Sequence, residues 1–358
     1  MEIREQRIGF EKTAPPLRQA VIAAAGFLLS LVFLSFAFLS HFLADVPSAP
    51  AESSGLPAVV LPEEPPVHTT VADTTLPDTT APPPIYYPVS GEATASLSGK
   101  LNSDFAILMR TSDGTSVAEL QADAMMYPAS MTKIMTLILA CEYVESGAGS
   151  FEDEIEVTWD MIKGVYDGNG ANISLQIGEV VNVKDMIYAT MLPSACDASA
   201  VLAWYVGGTE KEFAELMNEK AREIGMTGSS FKNSSGLYHK DHYSTARDVA
   251  TMLNYALQDP FMREVMQTEE YTISGTNHHG RRTLRSTLFK MFSGYSGTAV
   301  LRGAEILGGK PGTLDAAGKC LASFAESDDG ELYILVTAKA SGSRTAVSDA
   351  YYVYSNYT

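Results

Sequence analysis

Residues 127–136 read Tyr-Pro-Ala-Ser-Met-Thr-Lys-Ile-Met-Thr, and the apolar run they open continues through Leu137, Ile138 and Leu139. Pro128 suits a helix start, because a first-turn residue has no use for the N–H that proline lacks. The pattern predicts a helix from about Ser130 to Glu145. On it Lys133 stands one turn above Ser130, on the same face. Ser130 then lies in the first turn, where orphan backbone N–H groups and the positive dipole end favour a developing oxyanion. A lysine set among Ile134, Met135 and Leu137 loses affinity for its proton. A neutral amine there can take the proton of Ser130, a Ser-Lys form of the activated serine. The bland reading makes Ser130 a helix cap and Lys133 a solvated charge. Ser-x-x-Lys alone is common, so its surroundings decide.

The stretch follows a hairpin. Phe105–Arg110 and Ser116–Leu120 read as strands, with Asp113-Gly114 as the turn. Ile155–Thr158 is a short strand candidate, and Lys184–Met191 and Cys196–Val206 read as helices. Glu210–Ile224 is a charged amphipathic helix ended by Gly225. Thr245–Leu257 is another helix, with Pro260 beyond its end. Lys319–Ala325 and Leu332–Ala338 are strands joined by a turn at Asp329-Gly330, and Ala346–Tyr354 closes the chain as a helix. Strands at both ends with helices between imply one α/β domain whose sheet pairs the first hairpin with the last.

Two further stretches sit at junctions of this plan. Leu192-Pro-Ser-Ala-Cys-Asp-Ala198 places Ser194 in a turn between two helices, where it can relay a proton or merely cap the second helix. Gly308-Gly-Lys-Pro-Gly-Thr313 precedes a strand, so Lys310 offers a fixed cation to a carboxylate, unless the stretch is only a Gly/Pro turn. Three such elements in order make coincidence a poor explanation.

The 358 residues suit one large domain or two ordinary ones. A net charge of −18 argues against nucleic acid as a partner. Cys141, Cys196 and Cys320 show no metal-ligand spacing, and a disulfide scaffold is not expected of them. Residues 21–44 carry no Asp, Glu, Lys or Arg. That run matches the ~20 apolar residues a membrane helix needs. Arg4, Arg7, Lys12 and Arg18 precede it, and the next basic residue is Lys100. The positive-inside bias makes residues 1–19 a cytoplasmic tail, 20–44 a signal anchor, and the rest extracytoplasmic. A cleaved signal peptide competes, with an apolar region normally of roughly 7–15 residues. Length favours the anchor. Residues 45–96 are rich in Pro and Thr and read as a disordered spacer, leaving 97–358 as the folded domain.

With those motifs placed, residues 97–354 resemble the serine-type D-alanyl-D-alanine carboxypeptidases, the low-molecular-mass penicillin-binding proteins of the β-lactamase-like superfamily. Gly225–Leu237, Asp241–Asp248 and Ala317–Leu321 add to the resemblance. It implies a transpeptidase-like fold, an antiparallel sheet flanked by helices with a helical subdomain. It implies Ser130 as nucleophile, Lys133 as its base, Ser194 as proton relay, and Lys310 as carboxylate site. Cys196, Gly312 and Thr313 would contact substrate, and the N–H groups of Ser130 and Thr313 would form an oxyanion hole. No metal or cofactor is implied. The partners would be peptidoglycan stem peptides, β-lactams as covalent inhibitors, and the membrane. The family often adds a β-rich domain and a carboxyl-terminal amphipathic helix; with the chain reaching only Thr358, the amino-terminal helix is expected to serve as the anchor.

Two positions depart from the family's pattern. Cys196 stands where Asn is usual, and a thiol cannot supply an amide's paired donor and acceptor. Pro311 stands where Thr is usual, which removes a hydroxyl and a backbone N–H. Proline is tolerable there only if that strand edge faces a cleft. His239-Lys-Asp-His242 lacks the helical i, i+4 spacing of a metal site and reads as loop; His278-His279 with Arg281-Arg282 reads as a solvated basic loop, able to brush anionic wall polymer. Cys320 reads as a small buried hydrophobe. The leading expectation is a DD-carboxypeptidase. The alternatives are a β-lactamase, which needs a glutamate-activated water that Glu212 and Glu215 on a surface helix do not offer, and a catalytically weak penicillin-binding wall sensor.

Overall fold

The computed structural model describes residues 87–166, 170–296 and 302–358. The expected tail, membrane helix and linker up to residue 86 lie outside the described residues. Among the described residues no helix is long and apolar enough to cross a membrane.

The strand that organises the molecule is β2 (Phe105–Arg110). Ala106, Ile107, Leu108 and Met109 are all fully buried, so both faces of the strand are covered. Side chains alternate across a strand. Ile107 and Met109 therefore join the larger core under the helices, while Ala106 and Leu108 join a second core on the other face. The same alternation runs through β9 (Gly318–Ser327) and β10 (Leu332–Ala340). Phe324 and Val336 face the larger core, and Leu321 and Leu335 the smaller one.

The six-stranded sheet has the order β1-β3-β2-β10-β9-β8, with β1 Ala95–Ser96, β3 Ser116–Leu120 and β8 Ala304–Leu314. It is antiparallel except for the β1–β3 pair, and β10 pairs β2 as expected. Residues 89–96, which sequence alone places in the spacer, pack on this sheet. Val89 bridges Thr115, and Ala95 pairs Ala118.

Behind the sheet runs α1 (Lys133–Glu145), preceded by a 3₁₀ turn at Ala129–Thr132. Every residue from Lys133 to Cys141 is buried. A helix apolar all round belongs inside a core. A helical layer covers it: α2 (Trp159–Tyr166), α3 (Val183–Met191), α4 (Cys196–Gly207), α5 (Glu210–Glu223), α6 (Ala246–Leu257) and α7 (Pro260–Gln267). Pro260 does not simply follow a helix but begins α7, with the Asp259 side chain accepting from Met262 N. A proline can occupy the first helical position as readily as it can stop a helix. Two hairpins, β4–β5 (Glu154–Glu156, Val180–Asn182) and β6–β7 (Glu270–Ile273, Arg282–Arg285), flank this layer. On the second face of the sheet α8 (Thr287–Ser296) and α9 (Ser343–Tyr357) cover the smaller core.

Candidate active site

Ser130 lies in the 3₁₀ turn, and Lys133 is the first residue of α1. In a 3₁₀ turn residues three apart eclipse one another. Lys133 Nζ accordingly donates to Ser130 Oγ at 3.2 Å. Expecting a regular α-helix from Ser130 misplaces the first turn but keeps the pairing. Lys133 is fully buried, and its amine also reaches Ser235 O at 2.7 Å and Cys196 Sγ at 3.4 Å. Burial pushes its pKa below the ordinary lysine value, while Cys196, Asp197 and Glu210 pull the other way.

The turn is held in place from two sides by glycine. Gly236 has φ +79°, and a Cβ there would lie 1.9 Å from Ala129 O. A Cβ on Gly312 would meet Ala129 Cβ and Ser130 N, each at 3.0 Å. The β8 backbone can approach Ser130 only because position 312 has no side chain. Ser130, Ser194, Cys196, Gly312 and Thr313 line one cleft of about 310 Å³ with Pro311 and Gly236. A larger cavity of about 750 Å³ shares Cys196, Ser235, Leu237 and Leu314 with it.

Lys310 sits within β8, not ahead of a strand. It is also fully buried: Nζ donates to Ser194 Oγ at 2.8 Å and to Pro311 O at 3.0 Å. Burial, then the charge of Lys133, pushes its pKa well down. Lys310 thus stands behind Ser194 and does not project freely from a strand edge. Ser194 is held at φ +66°, in the turn before α4. Pro311 is tolerated because β8 is the edge of the sheet, where a missing N–H need not break a ladder.

This geometry puts a serine hydroxyl, a buried amine, a second hydroxyl and a second buried amine around one cleft. The sequence model Peptidase_S11, described as D-alanyl-D-alanine carboxypeptidase, matches residues 91–341. The chain belongs to the D-alanyl-D-alanine carboxypeptidase family. Within it, the carboxypeptidase DacF of Bacillus subtilis is 31% identical over 208 residues, 58% of this chain and 52% of DacF. The D-alanyl-D-alanine carboxypeptidase of Streptomyces sp. K15 is 27% identical over 253 residues, 68% of this chain and 82% of that protein. A solved mutant of the Streptomyces K15 DD-transpeptidase matches with a TM-score of 0.63 at 25% identity, covering 72% of this chain and 97% of that one. The chain spans about half the length of the first curated relatives it matches, 52% of DacF and 45% of the Escherichia coli DacC.

The cleft has supports that sequence reading did not single out. Asp197, buried at the start of α4, accepts from Ile173 N and Leu175 N at 3.1 Å, and Cys196 N donates to Ala171 O at 2.7 Å. These bonds hold the segment that carries Gly170 and Ala171 over the cleft. His242 is no loop bystander. Its Nδ1 accepts from Lys232 N at 3.2 Å, which leaves Nε2 to donate to Thr132 Oγ1 at 2.9 Å. The basic pair is only partly solvated: His279 Nδ1 lies 3.0 Å from the buried Glu179, and Arg282 Nη1 donates to Ile173 O at 2.5 Å. No local sequence pattern marks these roles, because each depends on a partner many residues away.

Proposed function

We propose that this protein is a serine DD-carboxypeptidase that removes the terminal D-Ala from peptidoglycan stem peptides. The observation that carries the reading is the fully buried Lys133 amine 3.2 Å from Ser130 Oγ. Ser130 Oγ attacks the carbonyl of the penultimate D-Ala as its proton passes to Lys133 Nζ. The N–H groups of Ser130 and Thr313 receive the oxyanion. Ser194, held by Lys310, relays a proton to the amine of the departing D-Ala, and the C–N bond breaks. Water then hydrolyses the Ser130 ester. The substrate carboxylate lies on the Lys310–Ser194 side, and the rest of the acyl donor leaves along β8 past Leu314 into the larger cavity.

None of the described residues lining the cleft is a carboxylate. Glu212 and Glu215 lie on the outer face of α5. With no carboxylate in that cleft to speed release of a penicilloyl ester, a long-lived adduct is favoured over β-lactamase turnover. We place the catalytic domain outside the cytoplasm, anchored through residues 20–44, on the charge pattern of the sequence.

The test is intact mass after penicillin, with peptide mapping, beside D-Ala release from a stem pentapeptide. We expect one adduct, on Ser130, and loss of both adduct and D-Ala release in Ser130→Ala. D-Ala release unchanged in Ser130→Ala would end this reading.

A further inference from the structure

Glu210 lies in the first turn of α5, next to the two glutamates on its outer face, yet it points the other way. Its Oε1 accepts from Ser234 N at 2.7 Å and from Ser234 Oγ at 2.9 Å. Its Oε2 is buried with no hydrogen-bond partner among the described residues. Burying a carboxylate with an empty oxygen is costly unless a cation compensates it. The Lys133 charge lies close enough to pull the Glu210 carboxyl pKa down against its burial.

The chain of contacts from Glu210 ends on the catalytic base. Ser234 O accepts from Thr136 Oγ1 at 2.7 Å, one turn along α1 from Lys133. The next carbonyl, Ser235 O, accepts from Lys133 Nζ at 2.7 Å. Glu210 therefore fixes the two-residue segment whose carbonyls grip the helix and the amine. We propose that Glu210 is a positioning residue for acylation: it anchors Ser234–Ser235 against Lys133, and its charge stabilises the ammonium formed when Lys133 takes the Ser130 proton. This rests on the serine-acylation reading above.

The other ionisable groups around the amine are Cys196 and Asp197 on α4, Lys310 on β8 and His242 on the loop before α6. Lys310 and His242 do not supply negative charge. Asp197 spends both oxygens on backbone N–H groups. Of the two carboxylates that act on the amine, Glu210 is the one with an oxygen unspent among the described residues. Burial pushes its own pKa up, and Ser234 and Lys133 hold that rise back.

The test follows the second-order rate of Ser130 labelling by a fluorescent penicillin as pH is varied. Glu210→Gln can still accept from Ser234 but has no charge. Without the carboxylate, Lys133 gives up its proton more readily, so the rising limb of the profile moves to lower pH by about one unit. Ser234→Ala removes one hydrogen bond and leaves the charge. It should lower the rate without moving the limb, and it keeps the test open if Glu210→Gln does not fold. Glu212→Gln, on the outer face of the same helix, should match the parent protein. A Glu210→Gln profile that overlays the parent's, or that falls equally at every pH, overturns the inference. So does a limb displaced in Ser234→Ala. Absence of labelling in the parent protein would instead remove the acylation reading itself, and the inference with it.

Discussion

His242 shows how a single buried side chain ties the turn that carries Ser130 to solution pH. It is 2% exposed and packs edge-on against Phe231, with ring centroids 5.5 Å apart. Burial, with Lys232, Lys133 and His239 nearby, pushes its pKa down from 6.5 to about 3. The folded protein thus holds a neutral ring where the unfolded chain takes up a proton. Stability from this residue is complete above the unfolded value and declines as pH falls through it. The loss amounts to about 2 kcal/mol between the unfolded value and roughly pH 5. Urea titrations over that interval should show this slope in the parent protein, and a flatter one in His242→Gln. Equal slopes in the two would mean that the ring takes up its proton without unfolding pressure. Such effects are not legible in a sequence: His242 and Glu210 look like a loop histidine and one of several surface glutamates until the fold removes water from them.

At the scale of elements, α4 and the turn before it carry Ser194 and two supports within four consecutive positions. Ser194 faces the buried Lys310, Cys196 packs beside Lys133, and Asp197 holds the segment from Ala171 to Leu175. On its far side that segment is gripped by the β6–β7 hairpin through Arg282, which donates to Ile173 O. Burial pushes the Asp197 carboxyl pKa up, against the pull of the N–H groups it accepts from. In Asp197→Asn one oxygen becomes an amide that confronts those donors. We expect a loss of about 1–3 kcal/mol in thermal unfolding, with faster hydrogen exchange at 171–175 and slower penicillin labelling. Unchanged exchange there would show that the hairpin alone holds the segment. The elements that sequence makes legible are those with a strong period. The strands β2, β3, β9 and β10 and the helices α3 to α6 fall close to their expected bounds. The strand β8 is hidden because Gly-Gly-Lys-Pro-Gly has turn composition, yet its Gly312 allows close approach to Ser130 and its proline is tolerated at a sheet edge. The hairpin β6–β7 is polar and short, and only its grip on a distant loop makes it an element.

At the scale of the whole molecule, one side chain adds to the backbone pairing that joins the amino-terminal edge of the described domain to the rest. Arg247, in the first turn of α6, is 7% exposed along its side chain. Its Nε and Nη2 take Asp123 at 2.6 and 3.0 Å, and Nη2 also takes Glu119 at 2.9 Å. Nη1 donates to Pro88 O at 2.8 Å, and Nη2 reaches Ser90 Oγ at 3.1 Å. A planar fork suits this many convergent acceptors, and a lysine ammonium does not. Arg247→Met keeps the apolar stem and leaves Glu119 and the Pro88 carbonyl without their cation. Breaking a buried pair costs about 3–5 kcal/mol, but Asp123 is 71% exposed and recovers water, so we expect about 2–4 kcal/mol. The urea midpoint should fall accordingly, with Arg247→Lys between the two. Because the clamp holds residues 88–90, limited proteolysis should cut near residues 88–96 well before the sheet opens. Arg247 does not line the catalytic cleft, so penicillin labelling per folded molecule should stay at the parent level. A midpoint unchanged in Arg247→Met, or labelling lost while the domain stays folded, would mean that the edge strand β1 is held by its backbone pairing alone or that the clamp reaches the site by a route the contacts do not reveal.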